Sequence, residues 1–271
     1  MPQKSAFAAP EKVQQSPQYA ALEGLTTGAA EASPLQRFCA PVEQKLQSSS
    51  PSDDVEGELY KGWIAVMSRA AATSYTEGGR SALAAFLVSL TQKRADGQQA
   101  NSDYGVVHGM KVWQDLPLFG WQVRDAWNFA PADDKSPALS EEWTNVNAFI
   151  ATLVSELHDK AHSNPDLSVF GLWTIRDALE EDNISDSALA AASVWFIYAA
   201  PTLLSWSKEQ KSYEGNVARG GFAHKDAGWT GYSPARWAVW QQRLSSLQEE
   251  VKEEGTRELV KRAIETIGKA R

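Results

Sequence analysis

SPARWAVWQQRLSSLQEEV, residues 233–251, is the stretch that decides the fold class. Ser233 followed by Pro234 reads as a helix start, because the serine hydroxyl can accept from an unpaired first-turn amide and proline presets φ at the first helical position. Behind it Trp237, Trp240, Leu244, Leu247 and Val251 recur at steps of three, four, three and four, which is one face of an α-helix. The stripe covers about two heptads and two tryptophans lead it, so a core-facing helix is expected rather than a coiled-coil seam.

The same period extends outward from this stretch. Leu59, Trp63, Val66 and Ala70 form one stripe, and Leu83, Phe86, Leu87 and Leu90 form another, with Gly78 and Gly79 between them. Pro117 interrupts the next apolar stretch, leaving a short amphipathic helix from Leu118. Ser140, Glu141 and Glu142 open a helix with Trp143, Val146, Ile150, Leu153 and Leu157 on one face, running to about His162. Asn164 and Pro165 are expected to cap another that carries Phe170, Trp173 and Asp177. No segment shows strand alternation and no repeat is present. The expectation is an all-α, irregular single domain of about eight or nine helices over residues 53–271. Residues 1–52 are expected to be a flexible, low-complexity arm with a short helix over Leu35–Gln47, and Asp53 or Asp54 to cap the first domain helix.

Composition narrows the function classes. The 271 residues carry 26 Lys plus Arg against 34 Asp plus Glu, a net charge of −8, which excludes a broad footprint for nucleic acid. Cys39 is the one cysteine, so no internal disulfide forms, and a reducing, cytoplasmic location is expected. The beginning, rich in Gln, Pro and Ala, lacks the apolar run of a secretory signal. Residues 187–207 contain no charge, but Pro201 breaks them, and the unbroken part from Ser185 to Ala199 would be about 22 Å long, short of a bilayer. A core helix is expected there, without integral membrane association.

The chain contains 11 tryptophans, all between Trp63 and Trp240. A buried indole needs a partner for its N–H, so such a core carries scattered polar groups. HDKAH, residues 158–162, has the i, i+4 histidine spacing of a zinc helix, but both rings fall away from the apolar face and no metal is expected. Asp53-Asp54 and Asp133-Asp134 lack a third carboxylate at helical spacing. Asp177, Glu180, Glu181 and Asp182 read as a solvated helix end, with Asp177 able to point inward. Gly220-Gly221 lacks the Lys-Ser/Thr partner of a phosphate loop, and no dinucleotide fingerprint occurs, so no cofactor is expected.

Residues 207–232 form the most informative irregular segment, at a length where loops are functional or disordered. Five glycines suggest hinge-like freedom there, and Phe222, Trp229 and Tyr232 suit a lid over a pocket. Tyr232, His224 and Arg219 are the candidate catalytic groups. Trp113, Trp121, Trp173 and Trp229 are candidate walls, with Asp115, Arg176 and Asp177 as orienting polar groups. Such a set would serve a cofactor-independent cyclase or isomerase, including a pericyclic one, since a shaped pocket and one hydrogen bond to a carbonyl suffice. The alternative is a non-catalytic helical protein that binds a metabolite or another protein.

Three runs carry a family resemblance: VWQDLPLFGWQVRDAW at 112–127, LWTIRDALE at 172–180 and GWTGYSPARWAVWQQRL at 228–244. Over roughly residues 55–250 the chain resembles a fungal family known as a domain of unknown function, number three-six-three-two. The resemblance implies a helical fold. Some family members lie beside genes of secondary metabolism, which implies a small hydrophobic natural product as ligand. No catalytic residues come with it.

Overall fold

A computed structural model describes residues 5–27, 34–95, 105–131, 136–162 and 164–270. The Asp133-Asp134 pair and most of the polar stretch after Arg94 lie outside these residues. The contacts divide the chain into two compact units, Met1–Ala130 with Lys160–Asp166 and Pro131–Asp159 with Leu167–Arg271. Among the described residues both are all-α apart from a short hairpin in the first unit and an isolated bridge, Ser212 with Gly231, in the second. Eleven α-helices occur among the described residues, slightly more than expected.

The first unit contains α1 (Glu11–Gln14), α2 (Pro17–Thr27), α3 (Pro34–Gln47), α4 (Ser52–Ala72), α5 (Gly78–Gln92), the hairpin β1 (Val106–Val107) and β2 (Met110–Lys111), and α6 (Phe119–Trp127). The described residues of the segment expected to be a loose arm are largely helical and packed. Val13 and Leu22 are fully buried, the Ala9 amide donates to Ser68 Oγ at 3.2 Å, and Gln18 Nε2 donates to Glu58 Oε2 at 3.1 Å. A few aliphatic side chains suffice because α2 packs on α3, α4 and α5, and α1 on α4, contacts that composition does not encode. At the start of α4, Asp53 and Asp54 sit in the first turn rather than at the cap, which Pro51 occupies. Their charges still suit the positive end of the helix. Gly78 and Gly79 open α5 rather than separating the helices.

The core of this unit is aromatic. Phe38 lies 5.9 Å from Trp63, 5.2 Å from Phe86 and 6.2 Å from Trp113, ring centre to ring centre. Gly62 permits this packing, since a Cβ there would stand 3.0 Å from Phe38 Cζ.

The second unit contains α7 (Pro137–Asp159), α8 (Ser168–Leu179), α9 (Asp186–Lys208), a 3-10 turn (Phe222–His224), α10 (Pro234–Leu247) and α11 (Glu254–Lys269). Helix α9 is its centre, packed by α7, α8, α10 and α11. It is the one described helix long and apolar enough to cross a membrane, and 72% of its most apolar window is buried inside the protein. Ser185 caps it by accepting from the Ala188 amide, and it kinks at Ala199, where φ is −135°. Pro201 is the cause, through its missing donor and its clash with the preceding turn.

Helix α10 begins as expected, with Ser233 Oγ accepting from the Arg236 amide at 3.1 Å. It ends at Leu247, so Val251 is buried from the following turn rather than from the helix. Helix α11 escaped the sequence reading. Glu253 caps it, accepting from Gly255 N at 3.0 Å and Thr256 N at 2.6 Å. These backbone donors hold its carboxyl below the usual carboxylate range.

Candidate functional site

The fully buried tryptophans show what each indole costs in polar company. Trp63 Nε1 donates to Pro117 O at 2.8 Å, Trp113 to Glu43 Oε1 at 3.2 Å, Trp195 to Asn147 Oδ1 at 2.8 Å and Trp240 to Glu180 Oε1 at 2.7 Å. Two of these partners, Glu43 and Glu180, are acidic.

In the second unit Glu180 and Arg236 form an ion pair with no exposure on either side chain. Arg236 Nε meets Glu180 Oε1 at 2.7 Å and Nη2 meets Oε2 at 3.0 Å. Nη1 donates to Ala218 O and Gly231 O, at 2.7 and 2.9 Å, and Nη2 also donates to Arg219 O at 3.2 Å. All five guanidinium donors are therefore used. Glu180 Oε2 accepts in addition from the Gly221 amide at 2.8 Å. The indole faces of Trp229 and Trp240 lie 5.0 and 5.6 Å from the guanidinium carbon.

This network orders the segment 207–232. Its neck closes where Tyr213 N donates to Thr230 O and Tyr232 N to Lys211 O. Two of its glycines serve close approach rather than hinging: a Cβ at Gly221 would stand 2.6 Å from Glu180 O, and one at Gly231 would stand 2.1 Å from Lys211 O. Trp173 Nε1 fastens the far side through Val217 O at 2.6 Å.

The expected catalytic groups occupy different settings along this strap. Tyr232 is buried, and its hydroxyl donates to Ser168 O at 2.7 Å. His224 is half-buried with its ring 5.1 Å from that of Trp229. Arg219 is exposed, and its carbonyl is what joins the network. Arg176 pairs with Asp177 at 2.9 Å. Loss of hydration holds the Asp177 carboxyl above the usual carboxylate range, with Arg176 opposing and Glu181 and Glu180 adding to the rise. Glu180, read from sequence as part of a solvated helix end, is the correction here, because it is fully buried. Arg236, next to Trp237 at the start of α10, is a site residue that escaped the sequence reading. No local signal in the sequence pairs Glu180 with Arg236, which lie 56 residues apart.

Trp113, Asp115 and Trp121 belong to the first unit. Trp113 is fully buried beside Glu43, which also pairs with Lys93 at 2.7 Å. Trp113, Leu116 and Leu118 all have positive φ, at 69°, 46° and 67°. Each such non-glycine residue costs about 1–3 kcal/mol and persists only where its surroundings over-determine it. Asp115 supplies part of that determination, accepting from Lys111 N at 2.7 Å and Asn164 Nδ2 at 3.2 Å. Asn164 thus ties down this turn rather than capping α8, whose cap position is Leu167. Trp121 is 60% exposed.

The HDKAH pair is not a zinc helix. Helix α7 stops at Asp159 and Ala161 has φ 52°, so the helical spacing is lost before His162. His158 packs against Trp206, and His162 Nε2 lies 2.9 Å from Gln114 O. Among the described residues no group of three His, Cys, Asp or Glu could hold a metal ion.

Tryptophan lines none of the cavities described here. One of about 460 Å³ in the second unit is walled by Ile184, Leu189, Leu247 and Val251 and ringed by Asp182, Asp186, Glu250, Arg243 and Lys252. Another of about 410 Å³ in the first unit lies beside Glu43 and Lys93.

No curated protein and no solved structure matches the chain. A family model described as a protein of unknown function, DUF3632, matches residues 63–244, a span that takes in the strained 113–118 turn, Glu180 and Arg236 alike, and the chain belongs to that family.

Proposed function

We propose that this is a non-catalytic helical protein that binds a small amphipathic metabolite. The observation that carries the reading is the 460 Å³ cavity, which falls in the size range of small-molecule sites and combines four aliphatic walls with charged groups of both signs. Arg243 and Lys252 suit an anionic group of the ligand, and Asp182 and Glu250 a cationic one. The α9 N-terminus at Ser185 adds positive potential on the same wall. A cytoplasmic setting in natural-product metabolism is part of the proposal, supported by the single buried Cys39 and by the family resemblance.

The competing expectation, a cofactor-independent cyclase or isomerase in the 207–232 segment, has less support. Its intended donor, the Tyr232 hydroxyl, already donates to Ser168 O, and one of its expected walls, Trp229, packs on the guanidinium of the ion pair. Thermal-shift screening of amphipathic metabolites, followed by calorimetry, tests the choice. A true ligand at about 100 times its Kd adds about 2.7 kcal/mol of stability. Arg243→Ala should weaken its binding about tenfold or more. Turnover of a linear polyene precursor by the wild-type protein, with no ligand sensitive to Arg243→Ala, would overturn the binding reading.

A further inference from the structure

A second surface, in the first unit, is independent of that cavity. Glu56 and Tyr60 lie one turn apart on α4, and Trp121 and Asp125 one turn apart on α6. The Tyr60 hydroxyl is directed at Asp125 Oδ2 across 3.4 Å, so the two helix faces meet at this point. Between them comes His108, in the two-residue turn of the hairpin, with φ 50° there and 76° at Gly109. Its ring centre is 5.5 Å from that of Trp121, and its Nε2 is 3.2 Å from Glu56 Oε2. Trp121 is 60% exposed and Tyr60 40%.

An indole this exposed is unusual among the tryptophans of the chain, whose other described members are buried or half-buried. Two carboxylates lie on the same face, Glu56 reached through His108 and Asp125 one turn along α6. We propose that this face docks a lysine- and arginine-rich segment of a partner protein, with Trp121 as the anchor and Glu56 and Asp125 receiving the partner's cations. Long basic side chains lay their methylene stems on an aromatic ring while the charged head reaches a carboxylate, and the ring face itself attracts the cation. His108 makes a small internal version of the contact, with a nitrogen-bearing ring set against Trp121 and onto Glu56. A central tryptophan rimmed by polar groups is also the arrangement that concentrates binding energy at protein interfaces. The net charge of −8 steers basic segments toward the chain. The same charge opposes a second copy, which would bring Glu56 and Asp125 against their own kind.

The test is fluorescence anisotropy of a labelled lysine–arginine–leucine helical peptide titrated with the full chain, at low and at physiological salt. Its charge-reversed glutamate counterpart is run in parallel. The wild type should bind the basic peptide and ignore the acidic one. Trp121→Ala should weaken binding about tenfold at both salt concentrations, since ring contact is not screened. Glu56→Gln/Asp125→Asn should weaken it mainly at low salt. Equal binding by wild type and Trp121→Ala would reduce the effect to general charge attraction and overturn the proposal. So would binding of the acidic peptide, or a dimer in sedimentation that Trp121→Ala abolishes, which would assign the face to a second copy.

Discussion

Each unit buries a glutamate under a tryptophan and gives it a cation, but the two are built differently. Glu43 accepts from Trp113 and meets Lys93, whose side chain keeps 22% of its exposure beside an open cavity. Glu180 accepts from Trp240, from Nε and Nη2 of Arg236 and from the Gly221 amide, with no exposure on either partner of the ion pair. A lysine ammonium is a compact, strongly hydrated charge and works best where water still reaches it. A guanidinium is planar and weakly hydrated, and its remaining donors can be spent on backbone. In the second unit those donors hold the carbonyls of Ala218, Arg219 and Gly231, so the ion pair is also the fastening of a long loop. The rim pair ties two side chains together, whereas the buried pair organises some twenty residues of backbone.

The largest effect follows from breaking the buried pair. Arg236→Ala should lower stability by about 3–5 kcal/mol, because Glu180 is left charged without its partner. Urea unfolding reads the loss, and amide exchange should rise across 217–232 ahead of the rest of the unit. The apolar double variant Glu180→Leu/Arg236→Met sharpens the point. Isolated buried pairs often tolerate such replacement, but here three loop carbonyls stay orphaned, so the double variant should remain destabilised. Full recovery would show the pair to be independent of the loop.

Lys93→Ala should cost less, about 1 kcal/mol, since Glu43 keeps its indole donor and solvent can reach it. A loss as large as that of Arg236→Ala in the same urea titrations would erase the distinction between the two sites. The smallest effect belongs to Asp177. Its folded pKa lies above the unfolded value, so folding disfavours its charged form, and the penalty is present above the folded pKa and relieved as pH falls through it. Asp177→Asn should therefore raise stability slightly near pH 7, by under about 0.5 kcal/mol for a side chain 58% exposed, and the gain should vanish in acid. Thermal melts across pH check the sign.

The helices were legible where their signals are local. Ser233-Pro234 and Ser185 mark starts, Pro201 marks the break in α9, and the tryptophan and leucine stripes name the buried faces. The same logic would have found α11, whose buried Thr256, Leu259, Val260, Ala263 and Ile267 keep helical spacing behind Glu253. The packing of α1 and α2 was not legible, because few large apolar residues mark it and its partner surfaces lie on other helices, α3, α4 and α5. Nor was the burial of Glu180: four acidic residues in six look solvated until a partner far along the chain is known.

Composition and period alone determined that the chain is all-α, that most of its tryptophans are core anchors and that each buried indole would need a polar partner, since helix capping, apolar spacing and indole chemistry act over a few residues. Which partner each indole took, which acid lost its water and which irregular segment became a fixed strap were decided by tertiary structure. Those outcomes depend on groups 50 or more residues apart, as with Trp63 and Pro117, Trp113 and Glu43, or Arg236 and Glu180. A buried charge is tolerable only when every donor around it is in place, and the fold alone assembles that set.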